Sequence, residues 1–157
     1  MAGVRGNTSL ETKLEVNEQI KDPNWLAGFV DGDGCFAIEA YTSPEYKLGT
    51  NVGLSFQIVQ HSRDKNLLES FASYLGCGRY VSRRNEEGGA FVVKNFNDIE
   101  SKIIPFFDKY PLKSNKAKDF EDFKLAAQII KEKRHLTQEG LDEILQIRSG
   151  MNRGREC

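Results

Sequence analysis

Between residues 36 and 58 the apolar positions recur every second residue. Phe36, Ile38 and Ala40 alternate with Ala37, Glu39 and Tyr41; after a turn around 44–49, Val52, Leu54, Phe56 and Ile58 alternate with Asn51, Gly53, Ser55 and Gln57. That period predicts two half-buried strands of one hairpin. On either side the spacing becomes helical. Upstream, Asp22-Pro23 reads as a helix cap followed by proline in the first turn, with the helix running through Trp25 to Asp31 and the run Gly32-Asp33-Gly34 ending it. Downstream, Ser62 is placed to cap a helix carrying Leu67, Leu68, Phe71 and Leu75, closed by Gly76. A second hairpin is predicted with strands near 78–84 and 90–95 around Asn85-Glu86-Glu87-Gly88-Gly89. The remainder reads as helix: 98–109, then 115–133 with Phe120, Phe123, Ala127 and Ile130 inward, then a last helix capped by Thr137 and carrying Leu141, Ile144 and Leu145.

The order α-β-β-α-β-β-α, with further helices behind it, predicts an α+β fold. Each hairpin has one apolar face needing cover, so a four-stranded antiparallel sheet with helices on one face is the natural packing. Residues 22–155 make one domain, and the polar residues 1–21 read as a tail or linker-like segment. The uncovered face of the sheet should present Glu39, Tyr41, Asn51, Ser55 and Gln57, and from the second hairpin some of Arg79, Arg83, Arg84 and Lys94. Arginine matched to guanine, and Asn or Gln to adenine, are the side chains that read base edges in a major groove. An ordinary solvated sheet face carries the same residue types.

Charge does not separate these readings, because 22 basic residues are balanced by 23 acidic ones; phosphate binding depends on how charge is distributed over the surface. Cys35, Cys77 and Cys157 form neither a paired framework nor a zinc-ligand spacing, which fits a reducing compartment. Apolar runs such as 103–107 are too short to span a bilayer, and the N-terminus lacks a secretory signal pattern, so the chain is expected to be intracellular, not secreted, and without a membrane partner.

Leu26-Ala27-Gly28-Phe29-Val30-Asp31-Gly32-Asp33-Gly34 sets small residues along a helix and two acids two residues apart at its end. Small residues let two helices approach backbone to backbone, and a carboxylate beside that contact meets its counterpart on the other helix. Two such carboxylates repel unless a cation lies between them. A plain helix cap with solvated acids is the alternative, but acids at a helix C-terminus oppose the macrodipole at a cost of a few tenths of a kcal/mol or more.

These nine residues closely resemble the signature of the LAGLIDADG homing endonucleases, and the resemblance extends over roughly 22–155. Phe56-Gln57-Ile58-Val59-Gln60, Tyr74-Leu75-Gly76-Cys77-Gly78, His135-Leu136-Thr137 and Met151-Asn152-Arg153-Gly154 are similar to segments of fungal organellar members, most of all to the C-terminal half of two-motif enzymes. The resemblance implies an αββαββα fold with a saddle-shaped sheet. It implies site-specific, metal-dependent cleavage of double-stranded DNA at a long, near-palindromic target leaving 3′ overhangs, in the service of intron homing. With one motif present, the chain requires a second copy of itself or a partner half-domain, packed through Leu26, Gly28, Phe29 and Gly32.

The same resemblance assigns Asp33 and the carbonyl of Gly32 to Mg²⁺, with Mn²⁺ or Ca²⁺ as possible substitutes. Gln60 and Lys116 complete the catalytic set, with Lys65 a second candidate for the lysine. Glu39, Tyr41, Asn51, Ser55, Gln57, Arg79, Arg83 and Lys94 are assigned to DNA, and a mitochondrial location follows. Asp31 cannot point with Asp33 and is expected to support the helix end or the partner. An RNA maturase assisting group I intron splicing, or a non-catalytic DNA-binding module, would use the same fold.

Overall fold

A computed structural model describes residues 20, 22–61, 64–83 and 88–152. Helix α1 (Pro23–Asp33) starts where the sequence predicts, with the Asp22 carboxylate accepting from the Asn24 N–H at 2.9 Å. It ends at Asp33, and strand β1 (Gly34–Thr42) begins at the next residue. No side chain would fit at Gly34, because a Cβ there would lie 2.6 Å from Val30 Cγ1. Glycine is what allows the helix to turn directly into the strand.

β1 pairs with β2 (Thr50–His61) in the register Phe36 to Phe56 and Tyr41 to Asn51. Helix α2 (Lys65–Leu75) follows, closed by Gly76 at φ +74°; its expected cap, Ser62, lies outside the described residues. β3 (Arg79–Ser82) and β4 (Gly88–Val93) form the second hairpin, and the antiparallel sheet has the order β1-β2-β4-β3. β4 starts earlier than its glycines suggest. Gly89 belongs to the strand because the Tyr80 side chain lies across it, where a Cβ would stand 2.3 Å from the Tyr80 oxygen. Arg84 and the turn residues 85–87 lie outside the described residues.

The following helical stretch runs as α3 (Phe96–Asp98), a π-helical turn (Ile99–Ile103) and α4 (Ile104–Lys109). Pro105 accounts for the widening: it has no N–H to give to the turn behind it, and its ring crowds the carbonyl four residues back, so the turn opens before it. Helix α5 (Lys116–Lys131), a 3₁₀ turn (Arg134–Leu136) and α6 (Gln138–Ser149) complete the fold. Thr137 caps α6 as predicted, accepting from the Gly140 N–H at 3.1 Å. On α5 the fully inward positions are Phe120, Phe123, Ala126, Ala127 and Ile129; Ile130 is only half-buried.

The helices cover the sheet face carrying Phe36, Ile38, Leu54, Phe56, Ile58, Phe91 and Val93. At its centre the Phe36 ring meets those of Phe56, Phe107, Phe120 and Phe123, with centroids 5.1–5.6 Å apart. β1 is an edge strand, and side chains from the C-terminal helical region cover its free carbonyls. Lys116 donates to that of Gly34, Asn152 to that of Phe36 at 2.9 Å, and Arg148 to that of Ile38 at 2.7 Å. Among the described residues, no helix is long and apolar enough to cross a membrane. Phe36→Ala should cost about 3–5 kcal/mol in urea unfolding, and a loss below about 1 kcal/mol would show that the five rings are not the centre of the core.

Candidate nucleic-acid interface and catalytic site

Strand alternation fixes which residues face away from the helices. Register places Glu39, Tyr41, Asn51, Gln57, Arg79, Arg83 and Lys94 on the uncovered face, as the sequence predicts. Ser55 shares that face but is only 3% exposed. It lies on a central strand, enclosed by its neighbours, so it is corrected from an exposed reader of DNA to part of the floor. Cys35, Ala90 and Val92 are likewise buried on this face. The motif end of the open face therefore holds half-buried Gln57 among buried Cys35, Ala90 and Val92, and the exposed polar groups lie toward the far end of β1 and β2, at Lys94 and on β3.

Three of those groups are wired together. The Tyr41 hydroxyl donates to the Glu39 carboxylate at 2.6 Å, and the Lys94 ammonium reaches across β2 to the same carboxylate at 3.3 Å. The hydrogen bond to Glu39, with burial and the carboxylate's charge, pushes the Tyr41 phenol up to about 12. Asn51 is oriented by its own backbone, its side-chain oxygen accepting from the Val52 N–H at 3.0 Å.

At the other end of the sheet stands the motif. Leu26, Ala27 and Val30 bury one side of α1. Trp25, Gly28, Phe29 and Gly32, spaced i, i+3, i+4 and i+7, share another side, where Gly28 and Gly32 have no atom within 4 Å of a Cβ position. Leu26, expected to face a partner, is fully buried in the chain's own core, because its position on the helix points it at the sheet. Trp25, 43% exposed, stands on the open side instead, its ring 5.4 Å from Phe29. The i, i+3, i+7 spacing with Gly28 and Gly32 was the available signal for it.

Asp31 and Asp33 diverge. Asp31 accepts from the Lys113 N–H at 2.7 Å, the Ser114 N–H at 3.0 Å and the Ser114 hydroxyl at 2.7 Å. Burial pushes its carboxyl up, but these hydrogen bonds and the nearby Lys116 charge outweigh it and hold the group below the usual carboxylate range. Asp33 is exposed and makes no hydrogen bond or ion pair among the described residues. The last turn of α1 carries no basic residue, so Asp33 opposes the helix dipole without a cation from its own helix.

Gln60 and Lys116 come to the same end as Asp33. Gly34 is level with Ile58, so Gln60, two residues further along β2, lies beside the last turn of α1. Its parity turns it toward the helices, unlike Gln57. Lys116 opens α5, is 6% exposed, and donates to the carbonyl of Gly34. Lys65 is directed elsewhere, its ammonium 5.4 Å from the Tyr80 ring centroid.

Among the described residues, no three His, Cys, Asp or Glu side chains gather as a metal site. One exposed carboxylate beside a helix-end carbonyl fits a hard divalent cation, which prefers oxygen ligands, but supplies only part of the six that such an ion needs. The residues present thus fit a share of a site. Cys77 is free and buried. Cys35 is disulfide-bonded, which corrects the expectation of no disulfide.

A family model described as LAGLIDADG endonuclease matches residues 26–127. The chain is 40% identical over 128 residues to the probable intron-encoded endonuclease 2 of Neurospora crassa, covering 82% of this chain and 27% of that protein. It is 32% identical over 107 residues to the DNA endonuclease I-CvuI of Chlorella vulgaris, covering 68% and 62%. The homing endonuclease I-SmaMI bound to cleaved DNA superposes with a TM-score of 0.84 at 47% identity, over 87% of this chain and 46% of that one. I-LtrWI bound to target DNA does so at 0.83 and 47%, with the same coverage. The chain therefore spans about a quarter of the Neurospora relative and just under half of these solved chains.

The Tyr41–Glu39 pair has a pH signature. A phenol whose folded pKa is raised adds stability that is complete below its unfolded value of about 10 and is lost as pH rises through about 12. In ¹³C-tyrosine NMR, Tyr41 should remain protonated at a pH where an ordinary tyrosine is ionised, and Glu39→Gln should return it to the ordinary range. An unchanged Tyr41 titration in that variant would show that Glu39 is not its partner.

Proposed function

From the premise that this chain belongs to the LAGLIDADG endonuclease family, we propose that it is one half of a site-specific double-stranded DNA endonuclease. The observation that carries this reading is the gathering of Asp33, Gln60 and Lys116 at one end of a sheet whose open face bears exposed arginine, lysine and amide side chains. The open stripe of α1 is next to that same end.

A duplex lying along the open face would meet Arg79, Arg83, Lys94, Gln57, Asn51, Tyr41 and Glu39. Arginine and lysine supply phosphate or guanine contacts, the amides suit adenine, and Glu39 suits the exocyclic amine of cytosine. The Tyr41 and Lys94 hydrogen bonds hold Glu39 in place and screen it from phosphate.

Cleavage requires a water aligned with the scissile phosphorus and compensation for the charge that builds on the phosphate. The Asp33 carboxylate and Gly32 carbonyl would hold a divalent cation, Mg²⁺ on this reading. That ion, when bound, supplies Lewis-acid activation of water and charge neutralisation. I-SmaMI has been solved bound to an uncleaved DNA target in the presence of calcium ions, which supports a divalent cation here without fixing which one. Gln60, both donor and acceptor, is suited to orient the water. Lys116, fixed and largely removed from solvent, contributes a positive charge that a surface lysine would lose to screening.

The missing share of the metal site would come from a second motif packed on the stripe Trp25, Gly28, Phe29 and Gly32. Bare glycine positions allow close helix approach, bringing two Asp33-type carboxylates together. A second copy of the chain would recognise a near-palindromic target, and a different half an asymmetric one. Cuts would leave 3′ overhangs. Relatives encoded in cox1 introns and in intron 1 of ND4 support a mitochondrial setting and a role in intron homing.

The test is incubation of the chain with a randomised duplex library in Mg²⁺, sequencing cut ends, with Ca²⁺ and Asp33→Asn as controls. Cuts at a defined site are expected, with Asp33→Asn losing on the order of 100-fold or more in rate while binding persists. Undiminished cutting by Asp33→Asn would refute the assignment of the metal ligand, and binding with no cutting would favour a maturase or regulatory protein. On the selected site, Gln57→Ala should relax preference at one base pair per half-site by roughly 1–3 kcal/mol. A uniform loss across sequences would place Gln57 outside base readout.

A further inference from the structure

Asp31 and Asp33 are two residues apart, about 200° around a helix, so one carboxylate at that end cannot join the other. Asp31 turns instead to the loop ahead of α5, where both of its oxygens are taken by Lys113 and Ser114, 82 and 83 residues away in the chain. Ser114 passes the connection on. Its hydroxyl donates to Asp31 at 2.7 Å and accepts from the Lys116 N–H at 3.2 Å. That second bond satisfies one of the free N–H groups in the first turn of α5, where Asn115, at the cap position, provides no side-chain bond.

Lys116 then returns to the motif, its ammonium donating to the carbonyl of Gly34, the residue after Asp33. The hydrogen bonds form a path from the acid two residues before Asp33, through Ser114 and the start of α5, to the residue directly after Asp33. A free lysine side chain samples many rotamers and loses that freedom when fixed. Its ammonium can stay at one carbonyl only if the backbone that carries it is itself fixed. Lys113 and Ser114 are exposed, and the carboxylate of Asp31 is what ties them to α1.

We infer that Asp31 is a positioning residue for cleavage, fixing the start of α5 through Ser114 so that the Lys116 ammonium is held at the junction of α1 and β1. This rests on the reading of Lys116 as part of the cleavage machinery. Asp31 touches neither DNA nor the metal in this scheme; it acts through Lys116.

The test is a double-mutant cycle on single-turnover cleavage of the selected target, with affinity measured separately in Ca²⁺. Asp31→Asn should slow cleavage on the order of 10- to 100-fold and change the dissociation constant less than about threefold. In a Lys116→Met background it should slow cleavage by no more than about twofold, because the group it positions is gone. Ser114→Ala, which leaves the motif intact, carries the same cycle should Asp31→Asn fold poorly. Losses that multiply in full would overturn the inference. Amide hydrogen exchange supplies a readout independent of cutting: Asp31→Asn should speed exchange at 113–116 and leave the sheet unchanged, and unaltered protection there would equally overturn the inference. A wild-type chain that cuts nothing would instead sink the nuclease reading, with exchange still deciding whether Asp31 fixes the loop.

Discussion

The direct passage of α1 into β1 at Gly34 is the constraint on which the rest depends. With no space for a side chain against Val30, glycine lets a helix end and a strand begin on adjacent residues. Asp33 is thereby left at the rim of the sheet, as the last helical residue. The same junction offers the Gly34 carbonyl to Lys116 and sets the alternation that puts Phe36 in the core and Glu39 on the open face. A loop at this point would uncouple the acid from the strand that carries Glu39 and Tyr41.

Among the described residues, two kinds of incompleteness lie around α1. Its outward stripe is bare at Gly28 and Gly32 beside two aromatic rings, a geometry suited to another helix at close range. Asp33 opposes the helix dipole with no basic residue in the last turn of its own helix. By contrast, the carbonyls of Gly34, Phe36 and Ile38 along the free edge of β1 are covered by Lys116, Asn152 and Arg148, and both carboxylate oxygens of Asp31 have donors. That contrast points to an unpartnered surface kept for assembly and chemistry.

Most of the fold was legible in the sequence because its signals are local. Period-two alternation located β1 and β2, Asp22 and Thr137 marked helix starts, and the nine-residue motif identified the family. What was misjudged depended on longer-range geometry. Leu26 belongs to the motif but faces the sheet, which only the rotation of α1 against the core decides. Ser55 has a reader's chemistry, but its place on a central strand encloses it. Gly88 and Gly89 read as turn residues, whereas the Tyr80 side chain demands glycine within the strand. The bond from Asp31 to Ser114 spans 83 residues, so nothing in local sequence could announce it.

On the proposed function, a second motif packs on the open stripe of α1 when the protein engages DNA. The chain's single tryptophan, Trp25, sits on that stripe, so its fluorescence and acrylamide quenching, titrated with protein and with target duplex, measure that packing directly. A blue shift and reduced quenching are expected as the complex forms, both diminished by Gly28→Leu. Trp25 that stays equally accessible in a fully DNA-bound, cutting complex would contradict it.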